Sequence, residues 1–473
     1  MLLAGLRLPA IWRRFSSTAT TTIVTKAIPS KSHLHKPLPD SAFPKGYILT
    51  GLHCGVKKKP ELLDLAVILS NSSRPTSAAA CFTRNAFKAA PVIVSQEVLQ
   101  SSSGRARAVV VNSGCANAVT GKQGMEDAWA MVRATDSLLP NPPSSSETLV
   151  MSTGVIGQTL PIAKILAGIR ALGPGKEGIL GSTFEAWERA ARAFMTTDTF
   201  PKLRARTFTI NGKEYRMAGM DKGAGMIHPD MGPPAPSATS AGQLHATLLG
   251  CILTDAAVSP RSLQSALTYA VDRSFNSISV DGDMSTNDTI IVLANGAATA
   301  AEEAEIDEER HPEAYETFKQ ELTAFAADLA KLVVRDGEGA TKFVTVTVEG
   351  APTYKDAHRV ASRISTSALV KTALFGEDAN WGRILAATGS IPLSAPLDPT
   401  RVNVSFIPAD GTAPLPLLVN GEPEKVDEVR AKEIISQEDL EIKVELGIGS
   451  ESAKYWTCDF SYEYVRINGD YRT

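Results

Sequence analysis

The chain has 473 residues, of which 43% are hydrophobic and 21% charged, with a formal net charge of −3 at pH 7. Such a length holds one large layered fold or a few domain-sized units. The nearly balanced charge gives no electrostatic case for binding nucleic acid or an anionic membrane, and no apolar run approaches the ~20 residues needed to span a bilayer.

Residues 1–36 carry Arg, Lys, Ser and Thr but no Asp or Glu. Arg7, Arg13 and Arg14 punctuate Leu2, Leu3, Leu6, Leu8, Ile11 and Trp12. This pattern predicts a basic amphipathic helix, the mark of a mitochondrial transit peptide, and so a matrix location. A merely disordered basic tail is the alternative. Residues 1–36 are therefore set apart as leader, with packed structure expected from near Phe43.

Short strands are expected at 67–69 and 78–83, and a firmer one at 106–111, where the run ARAVVV is apolar and β-branched. Asn112 to Asn117 then reads as a turn opening a helix, with the helix itself at 124–139. A strand at 148–152 leads into Thr153-Gly154 as a strand-ending turn. Residues 184–194 read as helix; 206–210 and 214–217 read as strands. The stretch 229–245 is rich in Pro, Gly, Ser and Ala and reads as an exposed loop. Residues 247–254 form an almost continuous apolar run, as a buried strand does. Helices follow at 261–275, 311–334 and 357–365. Strands follow at 289–294, 343–348, 402–406, 441–446 and 454–464. The order lacks a strict βαβ rhythm, which favours an α+β layered sandwich over a doubly wound fold.

The five cysteines, Cys54, Cys81, Cys115, Cys251 and Cys458, are odd in number and form no CxxC pair. They are read as mostly buried thiols in a reducing compartment, not as a disulfide framework or a zinc site. Asp281, Asp283 and Asp288 fall short of a calcium loop, which needs Gly at its sixth and Glu at its twelfth position. They are read as a structural turn, and no metal is expected.

The junction at Ala246-Thr247 joins an exposed loop to a rigid strand, a suitable place for self-cleavage. The Thr247 hydroxyl can attack the Ala246 carbonyl, and hydrolysis of the ester leaves Thr247 as a new N-terminus. Its α-amine, with an ordinary pKa of about 7.7–8.0, can serve as general base for its own hydroxyl. The chain has seven histidines and no GxSxG elbow. A threonine opening a strand is commonplace, so spacing alone favours an ordinary strand residue.

The flanking residues narrow the choice. The run from Gly219 to Pro229, GMDKGAGMIHP, followed by Ala246-Thr247-Leu248-Leu249, resembles the signature of the ornithine acetyltransferase family. These are the N-acetylornithine:glutamate N-acetyltransferases of arginine biosynthesis. Similar stretches are Asn112 to Asn117, MSTGVIG at 151–157, MTTDT at 195–199 and VDGDMSTNDT at 280–289. GEGATK at 337–342, KTALFGEDANWGR at 371–383 and the terminal NGDYRT at 468–473 complete the set. The family pattern has a shorter link before its Ala-Thr pair, so Gly232 to His245 looks like an insertion, which a longer exposed loop can accommodate.

The resemblance implies a self-processing, N-terminal-nucleophile-like αββα-type sandwich that splits into an alpha chain, 37–246, and a beta chain, 247–473, assembled as an α2β2 heterotetramer. It implies ping-pong transfer: Thr247 takes acetyl from N-acetylornithine, ornithine leaves, and glutamate accepts the acetyl to give N-acetylglutamate. Thr153 and Gly154 would supply the oxyanion donors. Substrate would be held by Thr196 (or its neighbour Thr197), by Lys222 on its α-carboxylate, and by Glu338 on its amine. Asn468 and Thr473 would close the site. No cofactor is implied, and acetyl-CoA enters only as a second acetyl donor, because some members combine both activities. A self-processing threonine aminopeptidase or amidohydrolase of similar architecture is the alternative, followed by a non-catalytic matrix binding protein.

Overall fold

A computed structural model describes residues 27–141, 143–173, 179–234 and 248–470. The transit segment up to residue 26, the insertion from residue 235, Ala246, Thr247 and Thr473 lie outside the described residues.

The first half carries strands β1 (Tyr47–Leu52), β2 (Leu65–Ser70) and β3 (Ser77–Thr83), then helix α1 (Ala90–Ser101), β4 (Ala108–Cys115), α2 (Gly121–Asp136) and β5 (Thr148–Val155). Helices α3 (Ile162–Arg170) and α4 (Phe184–Phe194) precede β6 (Lys202–Ile210), β7 (Lys213–Lys222) and the short β8 (Met231–Gly232). The second half opens with β9 (Leu249–Thr254), α5 (Pro260–Asp272), β10 (Ile278–Ser279), β11 (Thr289–Ala294) and α6 (Pro312–Arg335). Then come β12 (Phe343–Ala351), α7 (Tyr354–Ser365), α8 (Ala368–Gly376), α9 (Trp381–Thr388), β13 (Asn403–Pro408), β14 (Leu415–Val419) and β15 (Glu422–Pro423). The chain ends with α10 (Glu428–Ser436), β16 (Asp439–Glu445), β17 (Glu451–Cys458) and α11 (Tyr462–Gly469).

Two sheets face one another. One has the order β1-β2-β4-β5, the other β6-β7-β9-β11-β3-β8. Adjacent residues of a strand point to opposite faces, and β1 shows the consequence. A side chain at Gly51 would strike the Arg189 backbone of α4, whereas Leu52 lies beside Gly168 of α3. So α3 and α4 cover opposite faces of the first sheet. The same alternation in β7 puts Ala218 and Met220 into the apolar core shared with the first sheet. Gly219 instead lies against Phe325 and Leu329 of α6. Helices α1 and α4 each touch both sheets, α1 where β5 faces β3 and α4 where β1 and β2 face β6 and β7. The α+β layered sandwich expected from the element order is thus present.

A third sheet, β10-β17-β12-β16-β13-β14-β15, packs with α7 to α9 around its own core, which includes Val346, Val360, Phe406 and Val444. Its alternating strand β16 buries Leu440, Ile442 and Val444. Among the described residues no helix is long and apolar enough to cross a membrane. The cysteines are free thiols, all buried except Cys54, which is half-buried.

Three expectations need correction. The strand after Ala108 does not stop at Val111: β4 runs on through Asn112 to Cys115, and β5 runs on through Thr153 and Gly154, because the two pair in parallel to their ends. Residues 462–464 are not strand; β17 ends at Cys458 and a Ser461-capped helix follows, with Ser461 Oγ accepting the Tyr464 N–H. Packing also begins before Phe43. Lys31 is buried and its Nζ donates to Glu438 Oε1 at 2.6 Å, and the Leu34 carbonyl accepts from Arg204. The leader boundary at residue 36 therefore cuts into packed chain.

Candidate active site

Strand β9 sits between β7 and β11, antiparallel to the first and parallel to the second, with Lys222 opposite Leu249 and Leu249 opposite Thr289. Leu248, one residue earlier, is fixed on both sides of its peptide. Its N–H donates to Asp288 Oδ1 at 3.0 Å, and its carbonyl accepts the Thr289 N–H at 3.1 Å. The residue that follows Thr247 is thereby held by the sheet.

Lys222 closes β7 on the same face as Ala218 and Met220, the face turned to the first sheet. Its ammonium reaches across to Thr153 Oγ1 at 3.2 Å, and both residues are fully buried. Thr153 sits at the end of β5, where the register with β4 slips around Gly114 and Cys115. Gly154 has φ +125°, and a Cβ there would lie 2.3 Å from the Gly114 carbonyl carbon. Only glycine fits this close approach of two strand ends. The surrounding amides knit the ends together. Asn112 Nδ2 donates to the Cys115 carbonyl, Ser152 Oγ to Asn112 Oδ1, and Asn287 Nδ2 to the Ala116 and Ser152 carbonyls.

Beyond Lys222 the chain turns at Gly223, whose φ is +150°. Gly225 leaves room for a carboxylate: a Cβ there would lie 2.3 Å from Glu338 Oε2. Glu338 follows α6, and its N–H donates to the Ala224 carbonyl at 2.8 Å. Its Oε2 accepts Asn468 Nδ2 from α11 at 2.7 Å. Thr196 follows α4; its N–H donates to Asp198 Oδ2, and Asp198 Oδ1 accepts the Gly223 N–H, both at 2.8 Å.

The structure therefore gathers Thr153, Gly154, Thr196, Lys222, Glu338 and Asn468 around residues 222–225 and the start of β9. Two further groups stand out. Asp198 lies within the MTTDT run beside Thr196 and Thr197, and a carboxylate bonded to backbone N–H groups leaves no periodic trace in a sequence. Asp288 was read as part of a turn, and it is the partner of Leu248. Asp281 is a structural anchor: it accepts the Met226 and Ile227 N–H groups and the Tyr464 hydroxyl, tying α11 to the glycine-rich turn. Among the described residues no group of three His, Cys, Asp or Glu side chains could hold a metal ion.

Burial lowers the Lys222 ammonium to about 8, against the pull of Asp198, Asp288 and Glu338 and with the push of Lys202. Burial likewise raises the Asp288 carboxyl to about 7, against the Leu248 and Ser285 N–H groups and the Lys222 charge. Two buried groups on either side of β9 thus titrate near neutrality, as groups at reaction centres do.

Polar groups converge where the two sheets meet, beside the start of a central strand, and two of them titrate near neutrality; the arrangement is that of an active site in a layered α+β enzyme. The chain belongs to the ArgJ family, whose model matches residues 48–473. It is 76% identical over 468 residues to the arginine biosynthesis bifunctional protein ArgJ, mitochondrial, of Postia placenta, covering 99% of each chain. It is 54% identical over 480 residues to the protein of the same description from Cryptococcus neoformans, covering 98% of this chain and 97% of that one. Among solved structures, the arginine biosynthesis bifunctional protein argJ of Bacillus halodurans is 38% identical. That match covers 46% of this chain and 95% of that chain, with a TM-score of 0.41.

Proposed function

We propose that this chain is a mitochondrial N-acyltransferase of arginine biosynthesis that moves acetyl from N-acetylornithine to glutamate through an acyl-enzyme on Thr247. The observation that carries the reading is the fixed geometry around Leu248. The residue after Thr247 is pinned by Asp288 and Thr289, and Lys222 stands opposite Leu249 with its ammonium on Thr153.

In this reading Thr247 is freed by cleavage after Ala246, and its α-amine takes the hydroxyl proton during attack on the acetyl carbonyl. Thr153 and Gly154 face the oxyanion. Thr196, Lys222 and Glu338 hold the amino-acid end of the substrate, the ammonium of Lys222 on its carboxylate and the Glu338 carboxylate on its amine. Asn468 orients Glu338 and, with Thr473, closes the site. The tetrahedral intermediate expels the ornithine amine, which takes up the proton; the glutamate amine then attacks the acyl-enzyme and Thr247 leaves as its hydroxyl. Acetyl-CoA serves as an additional acetyl donor, and two alpha and two beta chains form the working assembly.

Incubation with N-acetylornithine and glutamate tests the reaction. Ornithine and N-acetylglutamate should rise together; a rise of free acetate without N-acetylglutamate would mean a hydrolase. N-terminal sequencing of the mature protein should give two starts, one upstream of Lys31 and one at Thr247. A single uncleaved chain would sink the reading.

The charge on Lys222 sets a pH limit. It is faced by Asp198, Asp288 and Glu338, which favour its charge, and by Lys202 and Lys57, which oppose it. With its pKa lowered to about 8, the ammonium is present below that pH and lost above it. The KM for glutamate should therefore climb as pH rises through about 8, up to about tenfold per unit. A KM flat to pH 10 would remove Lys222 from carboxylate binding.

A further inference from the structure

The three residues assigned to substrate stand on three different segments: Thr196 after α4, Lys222 at the end of β7, and Glu338 after α6. One buried charge chain joins these segments. Asp198 accepts the Thr196 N–H on Oδ2, and accepts the Gly223 N–H and the Lys202 ammonium on Oδ1, the last at 2.6 Å. Lys202 also donates to Asp336 Oδ2 at 2.6 Å. Asp336 is the residue after α6, two before Glu338, and it binds both the backbone N–H and the hydroxyl of Thr199. The Asp198 and Lys202 side chains are fully shielded from solvent.

We propose that Asp198, Lys202 and Asp336 are positioning residues that set the spacing of Thr196, Lys222 and Glu338, and so fix the length of amino-acid substrate the site accepts. The inference rests on the assignment of those three residues to substrate. A substrate with a carboxylate at one end and an amine at the other is measured by the separation of Lys222 and Glu338. The separation is held through Gly223, Asp198, Lys202 and Asp336 in turn. The Ala224–Glu338 backbone bond adds one further link.

Electrostatics agree with the geometry. Burial opposes ionisation of Asp198, but Lys202, Lys222 and the Gly223 N–H outweigh it and hold its carboxyl well below the usual range. Burial lowers the Lys202 ammonium, and Asp198 and Asp336 outweigh it and raise it above its usual range. Asp221, paired with Lys202 across β6 and β7, is pushed by burial far above the ordinary carboxylate range, and among the described residues neither of its oxygens has a hydrogen-bond partner. The bonds of Lys202 therefore go to Asp198 and Asp336. Removing one member of a buried charge pair leaves the other unpaired, which is costly, so the chain acts as a stiff strut.

The test pairs two variants in the full-length enzyme. Asp198→Asn keeps the shape and removes the charge; Thr199→Val removes only the hydroxyl bond to Asp336, at an exposed position. For Asp198→Asn the KM values for N-acetylornithine and glutamate should rise by about tenfold or more, with a smaller change in kcat. The alkaline limit of glutamate binding should also move down by about one pH unit, because Lys222 loses the carboxylate that favours its charge. Thr199→Val should raise both KM values a few-fold, and it stands as the deciding variant if Asp198→Asn does not fold. N-acetyl-2,4-diaminobutyrate, one methylene shorter than N-acetylornithine between its carboxylate and its free amine, should become a better donor relative to N-acetylornithine in both variants. Unchanged KM values, pH limit and donor preference in a folded variant would overturn the proposal, as would a loss confined to kcat. Lys222→Met separates the two ideas. If it leaves glutamate binding intact, the substrate assignment has failed; if it weakens binding while Asp198→Asn and Thr199→Val do not, only the strut has failed.

Discussion

Thr247→Ala is expected to yield one uncleaved chain with no measurable acetyl transfer. In the proposed mechanism the same hydroxyl attacks the Ala246 carbonyl and later the acetyl group. The same residue also supplies the amine that acts as base, but only after the cut. Losing the hydroxyl removes both steps, and turnover should fall by at least about 10³-fold. Denaturing electrophoresis and intact mass report the cleavage, and N-acetylglutamate formation reports the transfer. Thr247→Ser should restore both in part, since serine keeps the hydroxyl and the amine. Normal splitting of the alanine variant would show that another residue makes the cut.

Gly154→Ala should be nearly as severe, for a different reason. The added methyl would sit 2.3 Å from the Gly114 carbonyl carbon and 2.7 Å from the Cys115 nitrogen, at a φ of +125°. These contacts are backbone, so a strand end has to move rather than a rotamer. Either β5 shifts, carrying Thr153 away from Lys222, or the ends of β4 and β5 separate. Acetyl transfer should drop by more than the roughly 10² to 10³-fold expected for removing a single oxyanion donor through Thr153→Ala. Thermal unfolding separates the outcomes: Thr153→Ala should melt close to the parent, and Gly154→Ala several degrees lower. Equal activity and melting for Gly154→Ala and the parent would mean that the close approach has no function.

Much of this site was legible as residue runs, and less of it as geometry. The helix at 184–194 and the strand at 289–294 match α4 and β11 residue for residue, because their apolar periods are unbroken. The ends of β4 and β5 were misread as turns, since Asn, Ser and Gly ordinarily punctuate strands. Here they extend a parallel pair whose side chains bond to neighbouring carbonyls. The helix α1 was not recognised at all. Its run APVIVSQEVLQS is rich in β-branched residues and buried on several sides, so no amphipathic stripe marks it. Lys222, Glu338 and Asn468 stand in runs that the sequence singles out, and the structure sets Lys222 on Thr153 and Asn468 on Glu338. Asp198, Lys202 and Asp336 were not, because a buried charge chain is assembled from positions far apart in sequence, and no local pattern announces it.

Under the proposed cleavage after Ala246, the order of the strands has a thermodynamic consequence. Strands β9 and β11 would then belong to the beta chain, flanked on either side by β7 and β3 of the alpha chain. Neither product can leave without unzipping both ladders, so the pieces remain one cooperative body. Unfolding, however, then releases two molecules where the precursor releases one. By mass action the melting midpoint of the cleaved enzyme should climb with protein concentration, while that of the uncleaved Thr247→Ala chain should climb less. Dilution, harmless to the precursor, becomes a destabilising variable for the mature form.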